Sequence, residues 1–215
     1  MPEPLAGPSH PLFSRAWAFV MRRLEPQQLR EGREQLVAGL AGTVVEVGAG
    51  SGSMFPHYPR EVARVIAVEP EPYLREQAIA AAADAAVAIE VVDGMADALP
   101  LGDGEADAVV VSLVLCSVPD QAAALAEARR VLRPGGELRY YEHVAEPRGT
   151  RARRYQELVD RSGLWARAGG GCRVARETGD AIRAAGFVVE REDEVMFGPR
   201  GTPVRRHLAG AAVRP

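Results

Sequence analysis

Apolar residues along the chain follow two alternating patterns. Short continuous apolar runs, such as Val44-Val45-Glu46-Val47 and Ala108-Val109-Val110-Val111-Ser112-Leu113-Val114, read as strands buried on both faces. Between them lie stretches with helical spacing. Phe13, Trp17, Val20, Met21 and Leu24 share one face, Pro26 breaks the run, and Leu29, Leu36, Val37 and Leu40 begin a second helix. These two helices form an N-terminal cap over residues 1–40, and the rest of the chain, 41–215, forms one domain. Pro56 and Pro59 limit the next helix to a short piece. Strands follow at 64–69, 88–92, 108–114 and 137–143, with helices at 71–86 and 120–132. Residues 148–170 start helical and turn glycine-rich, and a helix at 176–185 precedes strands at 187–197 and 203–213. Strand–helix alternation of this kind predicts an α/β fold with a mostly parallel sheet covered on both faces and an antiparallel end.

The first strand runs into Gly48-Ala49-Gly50-Ser51-Gly52. Glycines there allow a sharp turn and close backbone approach to a ligand. Position 53 is Ser53, where a dinucleotide fingerprint requires a third glycine. Glu46, two residues before the first glycine, suits a cationic ligand group better than a pyrophosphate. The second strand ends in Glu69, 19 residues after Gly50. A carboxylate at that strand end accepts from ribose hydroxyls, so the pair of strands points to an adenosine-type cofactor. In such sheets the ligand lies beyond the carboxyl ends of the strands. That rule puts the glycine turn, Glu69, the 93–96 turn, segment 112–117 and Glu142-His143 along one edge.

Composition narrows the classes. The chain has 215 residues, 47% hydrophobic and 26% charged, with a formal net charge of −3. No charge excess supports nucleic-acid binding. Two cysteines, Cys116 and Cys172, make neither a disulfide framework nor a zinc motif, so no metal is expected. Absence of a long apolar run or a signal-peptide pattern predicts a cytoplasmic protein without an integral membrane segment.

The segments EVGAGSG, VIAVEP, DGMADALP, DAVVVSLVLCSV and RVLRPGG, in that order, resemble class I S-adenosylmethionine-dependent methyltransferases. Further similarity, through GGCRVARET to HLAGAAVRP, is to the alkyl thiol S-methyltransferase branch and covers most of the chain. The resemblance implies a Rossmann-like, mostly parallel seven-stranded sheet and S-adenosylmethionine as cofactor, with a small-molecule acceptor, a thiol in the finer match. O- or C-methylation of a phenol or quinol stays open, as does cofactor binding without methyl transfer. Under this resemblance Glu46 meets the methionine end, Gly48, Ala49, Gly50 and Gly52 let the cofactor lie on the turn, and Glu69 with Pro70 holds the ribose. Many relatives place an aspartate after the third strand, where this chain has Met95. Adenine is then held by backbone around Gly94, Met95 and Ala96, or by Asp93. Ser112 and Leu113 lie beside the sulfonium region.

A thiol acceptor needs only a modest base, because its pKa is near 8.5. His143, after the fifth strand at the predicted ligand edge, is the candidate catalytic base. His207 could face the pocket from the other side. Cys116 reads as a small core residue, Cys172 as a loop residue able to line the acceptor pocket, and Arg176 as structural at a helix start. Phe13, Trp17, Leu164 and Trp165 are candidates for an apolar roof.

Overall fold

A computed structural model gives the fold. The structure describes residues 27–215, so the expected helix carrying Phe13 and Trp17 lies outside the described residues. In chain order the elements are α1 (Gln27–Val37), β1 (Gly42–Val47), a single 3-10 turn (Phe55–His57), β2 (Val62–Val68), α2 (Pro72–Ala82), β3 (Ala88–Val92) and β4 (Ala106–Ser112). Then follow α3 (Gln121–Val131), β5 (Leu132–His143), α4 (Arg151–Ser162), α5 (Leu164–Ala168), α6 (Thr178–Ala184), β6 (Val188–Met196) and β7 (Arg206–Val213).

Seven strands form one sheet in the order β3-β2-β1-β4-β5-β7-β6. The first five pair in parallel. β7 inserts antiparallel between β5 and β6, as the sequence predicted for the end of the chain. β1 and β4 occupy the centre, which is why their residues are apolar on both faces. Strand periodicity splits the core in two. Val45, Val47, Val109, Val111 and Tyr140 pack with Leu125 of α3 and Ile182 of α6. Val44, Val110 and Tyr141 pack with Leu29 and Leu36 of α1, Phe55 and Ala78.

Two local expectations shift. The Pro134-Gly135-Gly136 turn does not precede the fifth strand. It is looped out within β5, where Leu132 pairs with Ala106 and Glu137 with Ala108. Helix α6 begins at Thr178, so Arg176 lies in the preceding loop. Among the described residues no helix is long and apolar enough to cross a membrane.

Candidate active site

The carboxyl ends of β1, β2, β4 and β5 open into a cavity of about 570 Å³. At one end stands the glycine turn. The N–H groups of Gly48 and Ala49 donate to the Val68 carbonyl at 2.8 and 3.1 Å, drawing the turn onto the end of β2. Gly50 has φ +57°, and a Cβ there would meet nothing within 4 Å, because the space is open cavity. That left-handed conformation lets the Gly50 N–H donate to Glu69 Oε2 at 2.8 Å. The other oxygen of Glu69 accepts from the Glu71 N–H at 2.9 Å. Two backbone donors therefore fix the carboxylate at the cavity wall, while burial pushes its pKa up.

Glu46 is buried on the same wall, and burial raises its pKa to about 8. Tyr58 Oη donates to it at 2.9 Å, and the nearby Arg33 charge opposes the rise. Arg33, from α1, also lines the cavity. A buried acid with an elevated pKa in a cavity wall is poised to meet a cation.

Most of the predicted cofactor residues line this end: Glu46, Gly48, Ala49, Gly50, Glu69, Pro70, Gly94, Met95, Ala96, Ser112 and Leu113. Gly52 does not. Its Cβ would come within 2.6 Å of the Phe55 ring and 2.9 Å of Ala81, so this glycine serves packing beneath the turn. Asp93 is also set aside as an adenine ligand. It turns away to Arg75 at 3.1 Å, and Arg75 braces the Glu69 and Pro70 carbonyls as well. Ser112 Oγ is buried with no hydrogen-bond partner among the described residues, an orphan that a ligand in the cavity can satisfy.

The segment after β4 is unusually well held. Leu113 is the one non-glycine residue with positive φ, +60°, among those described. Glu142, fully buried, accepts from the N–H groups of Val114, Leu115 and Cys116 at 2.7, 3.0 and 3.2 Å. Arg176 donates to the Leu115 carbonyl and, at 2.6 Å, to that of Val118. Its structural role is therefore to clamp this loop. Sequence reading placed Glu142 at the edge and assigned it nothing. A carboxylate that replaces backbone pairing leaves no periodic signal.

At the far end of the cavity stand His143, Cys116 and Cys172. His143 Nε2 lies 2.9 Å from Cys172 Sγ, and Trp165 Nε1 donates to the same sulfur at 3.3 Å. The Cys116 sulfur, the Cys172 sulfur and a His143 nitrogen all fall within 4.8 Å of one another. These are donor types that hold zinc, but a zinc ion bound to both would keep nitrogen and sulfur about 3.6 Å apart. The 2.9 Å contact fits a thiol–imidazole pair sharing a proton. Cys116 lies in the core as expected, yet it also reaches the cavity. The trio is invisible in the sequence because its members come from the loop after β4, the end of β5 and the loop after α5.

His207 sits directly opposite His143 across β5 and β7. Its ring stacks on Tyr141 at 5.3 Å and meets Phe197 edge-on at 5.7 Å. Burial drops its pKa to about 4, so at neutral pH it is an uncharged aromatic wall. Trp165 lines the cavity, but Leu164 is 68% exposed and does not, so the roof expected from that residue is absent.

Residues 45–140 match a family model described as a methyltransferase domain. Over 98% of this chain, and 91% of the relative, the sequence is 33% identical to human thiol S-methyltransferase TMT1B.

The chain belongs to this methyltransferase family.

Human thiol S-methyltransferase TMT1A is 34% identical over 84% of this chain and 75% of its own length. A geranyl diphosphate methyltransferase solved with S-adenosylmethionine superposes with a TM-score of 0.71 at 15% identity, covering 99% of this chain and 94% of that one. The chain is thus a methyltransferase by family and shares the fold of that S-adenosylmethionine-bound enzyme. Its cavity fits that cofactor on three counts: open space at Gly50, paired buried acids at Glu46 and Glu69, and the unsatisfied Ser112 hydroxyl.

Proposed function

We propose that this methyltransferase acts on a small thiol and that His143 is its base. The observation that carries the reading is the His143–Cys172 pair, 2.9 Å apart, facing a cavity end otherwise walled by Trp165, Phe197 and Val204. The thiol reading is also supported by the relatives named as thiol S-methyltransferases.

Bound S-adenosylmethionine supplies an electrophilic methyl group on a sulfonium sulfur. Glu46 and Arg33 would hold the charged methionine end. Glu69 with Pro70 would hold the ribose, Gly94, Met95 and Ala96 would hold the adenine, and Gly48, Ala49 and Gly50 would let the cofactor lie on the turn. Ser112 and Leu113 would lie beside the sulfonium. The protein's main contribution is alignment. An entering thiol gives its proton to the His143–Cys172 pair, which then holds two, one on His143 Nε2 and one on Cys172 Sγ. The apolar walls keep water from the thiolate.

A net charge of −3 and two unpaired cysteines favour a cytoplasmic enzyme that acts on small molecules and not on nucleic acid. The deciding experiment measures turnover on an alkyl thiol against a phenol of similar size. The thiol should be preferred, and preference for the phenol makes this an O-methyltransferase on the same scaffold. His143→Ala should lower turnover on a neutral thiol by about 10²–10⁴ with cofactor affinity nearly intact. The loss should shrink for an acceptor already ionised at the assay pH.

A further inference from the structure

We propose that Cys172 and Cys116 act as a nucleophile and its resolving partner, through which the acceptor cavity cleaves small disulfides to the thiols it methylates. The inference rests on the thiol reading above and extends it to the oxidised form of the acceptor.

Both sulfurs line the same cavity, within 4.8 Å of each other. The backbones that carry them are already docked. Arg173 N–H donates to the Cys116 carbonyl at 2.8 Å, and a Cβ on Gly171 would sit 3.1 Å from the Ser117 carbonyl oxygen. Cys172 follows Gly169-Gly170-Gly171, of which Gly170 and Gly171 have φ of +61° and +90°. These glycines shape a turn whose backbone is pinned by the Gly171 and Cys172 N–H groups, so rotation about the Cys172 Cα–Cβ bond is what carries its sulfur between a substrate and Cys116.

The two thiols are not equivalent. Cys172 receives hydrogen bonds from its surroundings: the Cys116 thiol, His143 and Trp165 Nε1 lower its pKa, in that order of effect, against burial. Cys116 is deeper. Its bond to Cys172, burial and the Glu142 charge all push its thiol up. A thiolate in front and a protonated thiol behind is the division of labour that stepwise exchange requires.

The electrons balance without an outside oxidant. Cys172 Sγ⁻, its proton on His143 Nε2, attacks one sulfur of RS–SR; that S–S bond breaks, the departing RS⁻ takes the Nε2 proton and leaves as RSH, and a Cys172–S–SR mixed disulfide remains. Cys116 then gives its proton to His143 Nε2 and attacks Cys172 Sγ. The second RS⁻ leaves and the Cys116–Cys172 disulfide forms. The substrate gains two electrons and the cysteine pair loses two. Both thiol products are released in the acceptor cavity. A dithiol reductant restores the pair.

The test uses the reduced full chain, diethyl disulfide as probe and no cofactor, with acid quenching, intact mass and peptide mapping. The native protein should lose two hydrogens, acquire a Cys116–Cys172 link and release two equivalents of ethanethiol. Cys116→Ser, checked for folding by cofactor binding, should stop at one ethylthio group on Cys172. Cys172→Ser should release no thiol. A native protein that releases no ethanethiol overturns the proposal, and so does one that releases it without the Cys116–Cys172 link. Methylation of ethanethiol is assayed separately with cofactor. Exchange without that methylation sinks the thiol reading and upholds the exchange chemistry; methylation without exchange sinks the exchange alone.

Discussion

Cofactor binding should expel a proton from Glu46. In the free protein burial holds this carboxyl at a pKa of about 8, with the Tyr58 hydroxyl and Arg33 pulling the other way and Glu69 adding to the rise. At pH 7 it is then about 90% protonated, and ionising it costs about 1.4 kcal/mol, one pKa unit. A methionine ammonium beside it reverses the preference, since an opposite charge within a few ångströms favours the carboxylate. Binding at pH 7 should therefore release about 0.9 proton from this group, and affinity should rise about ninefold between pH 6 and pH 7. The window closes above pH 7.5, because the cofactor's own α-amino group titrates near 7.7–8.0. The sign for the free fold is opposite. A carboxyl whose folded pKa lies above its unfolded value stabilises the fold at low pH. That stability is lost as pH rises from about 4.5 through about 8. Calorimetry in buffers of different ionisation enthalpy reads the proton count directly. Glu46→Gln should remove most of the release and flatten the pH slope. Its cost in affinity at pH 7 should be small. A charge-assisted hydrogen bond is worth about 1.5–3 kcal/mol, and the 1.4 kcal/mol of ionisation offsets about half or more of that, leaving about fifteenfold or less. Equal proton release from the native protein and Glu46→Gln would refute this reasoning.

Other expectations follow from the same wall. S-adenosylmethionine at a hundred times its Kd should stabilise the fold by about 2.7 kcal/mol, seen as a raised Tm; NAD should give no comparable shift, and a flat response to S-adenosylmethionine at millimolar concentration would contradict the site. Glu69→Ala should weaken cofactor binding by about 1.5–3 kcal/mol, and since Glu69 also holds the Gly50 N–H, part of that loss comes from a loosened turn; unchanged affinity in a titration would remove it from the site. Glu142→Gln should destabilise the protein by about 1–3 kcal/mol, because an amide cannot accept from three N–H groups with both ends; denaturant unfolding with an unmoved midpoint would show that the clamp is dispensable.

Chain order and hydrophobic period were enough for the sheet. Val44-Val45 and the apolar run from Ala108 have no polar face, so they had to be central and parallel, and the strand-end rule places Glu46, Glu69 and the glycine turn at one edge. These are local signals: a strand ends, a turn begins, and an acid sits at a fixed distance. The sequence could not say which glycine touches the cavity. Gly50 and Gly52 read alike in a motif, and only neighbours remote in sequence, such as Ala81 packed under Gly52, distinguish an open cradle from a packing contact. The same limit hid Asp93's turn toward Arg75, the Glu142 clamp and the meeting of Cys116, His143 and Cys172. Periodicity reports which face of an element is buried, and motif spacing reports what one loop can hold. A cluster drawn from one strand end and two separate loops is set by how the sheet twists and where the later helices return. Tertiary packing alone therefore decided that the expected base has a thiol for a partner.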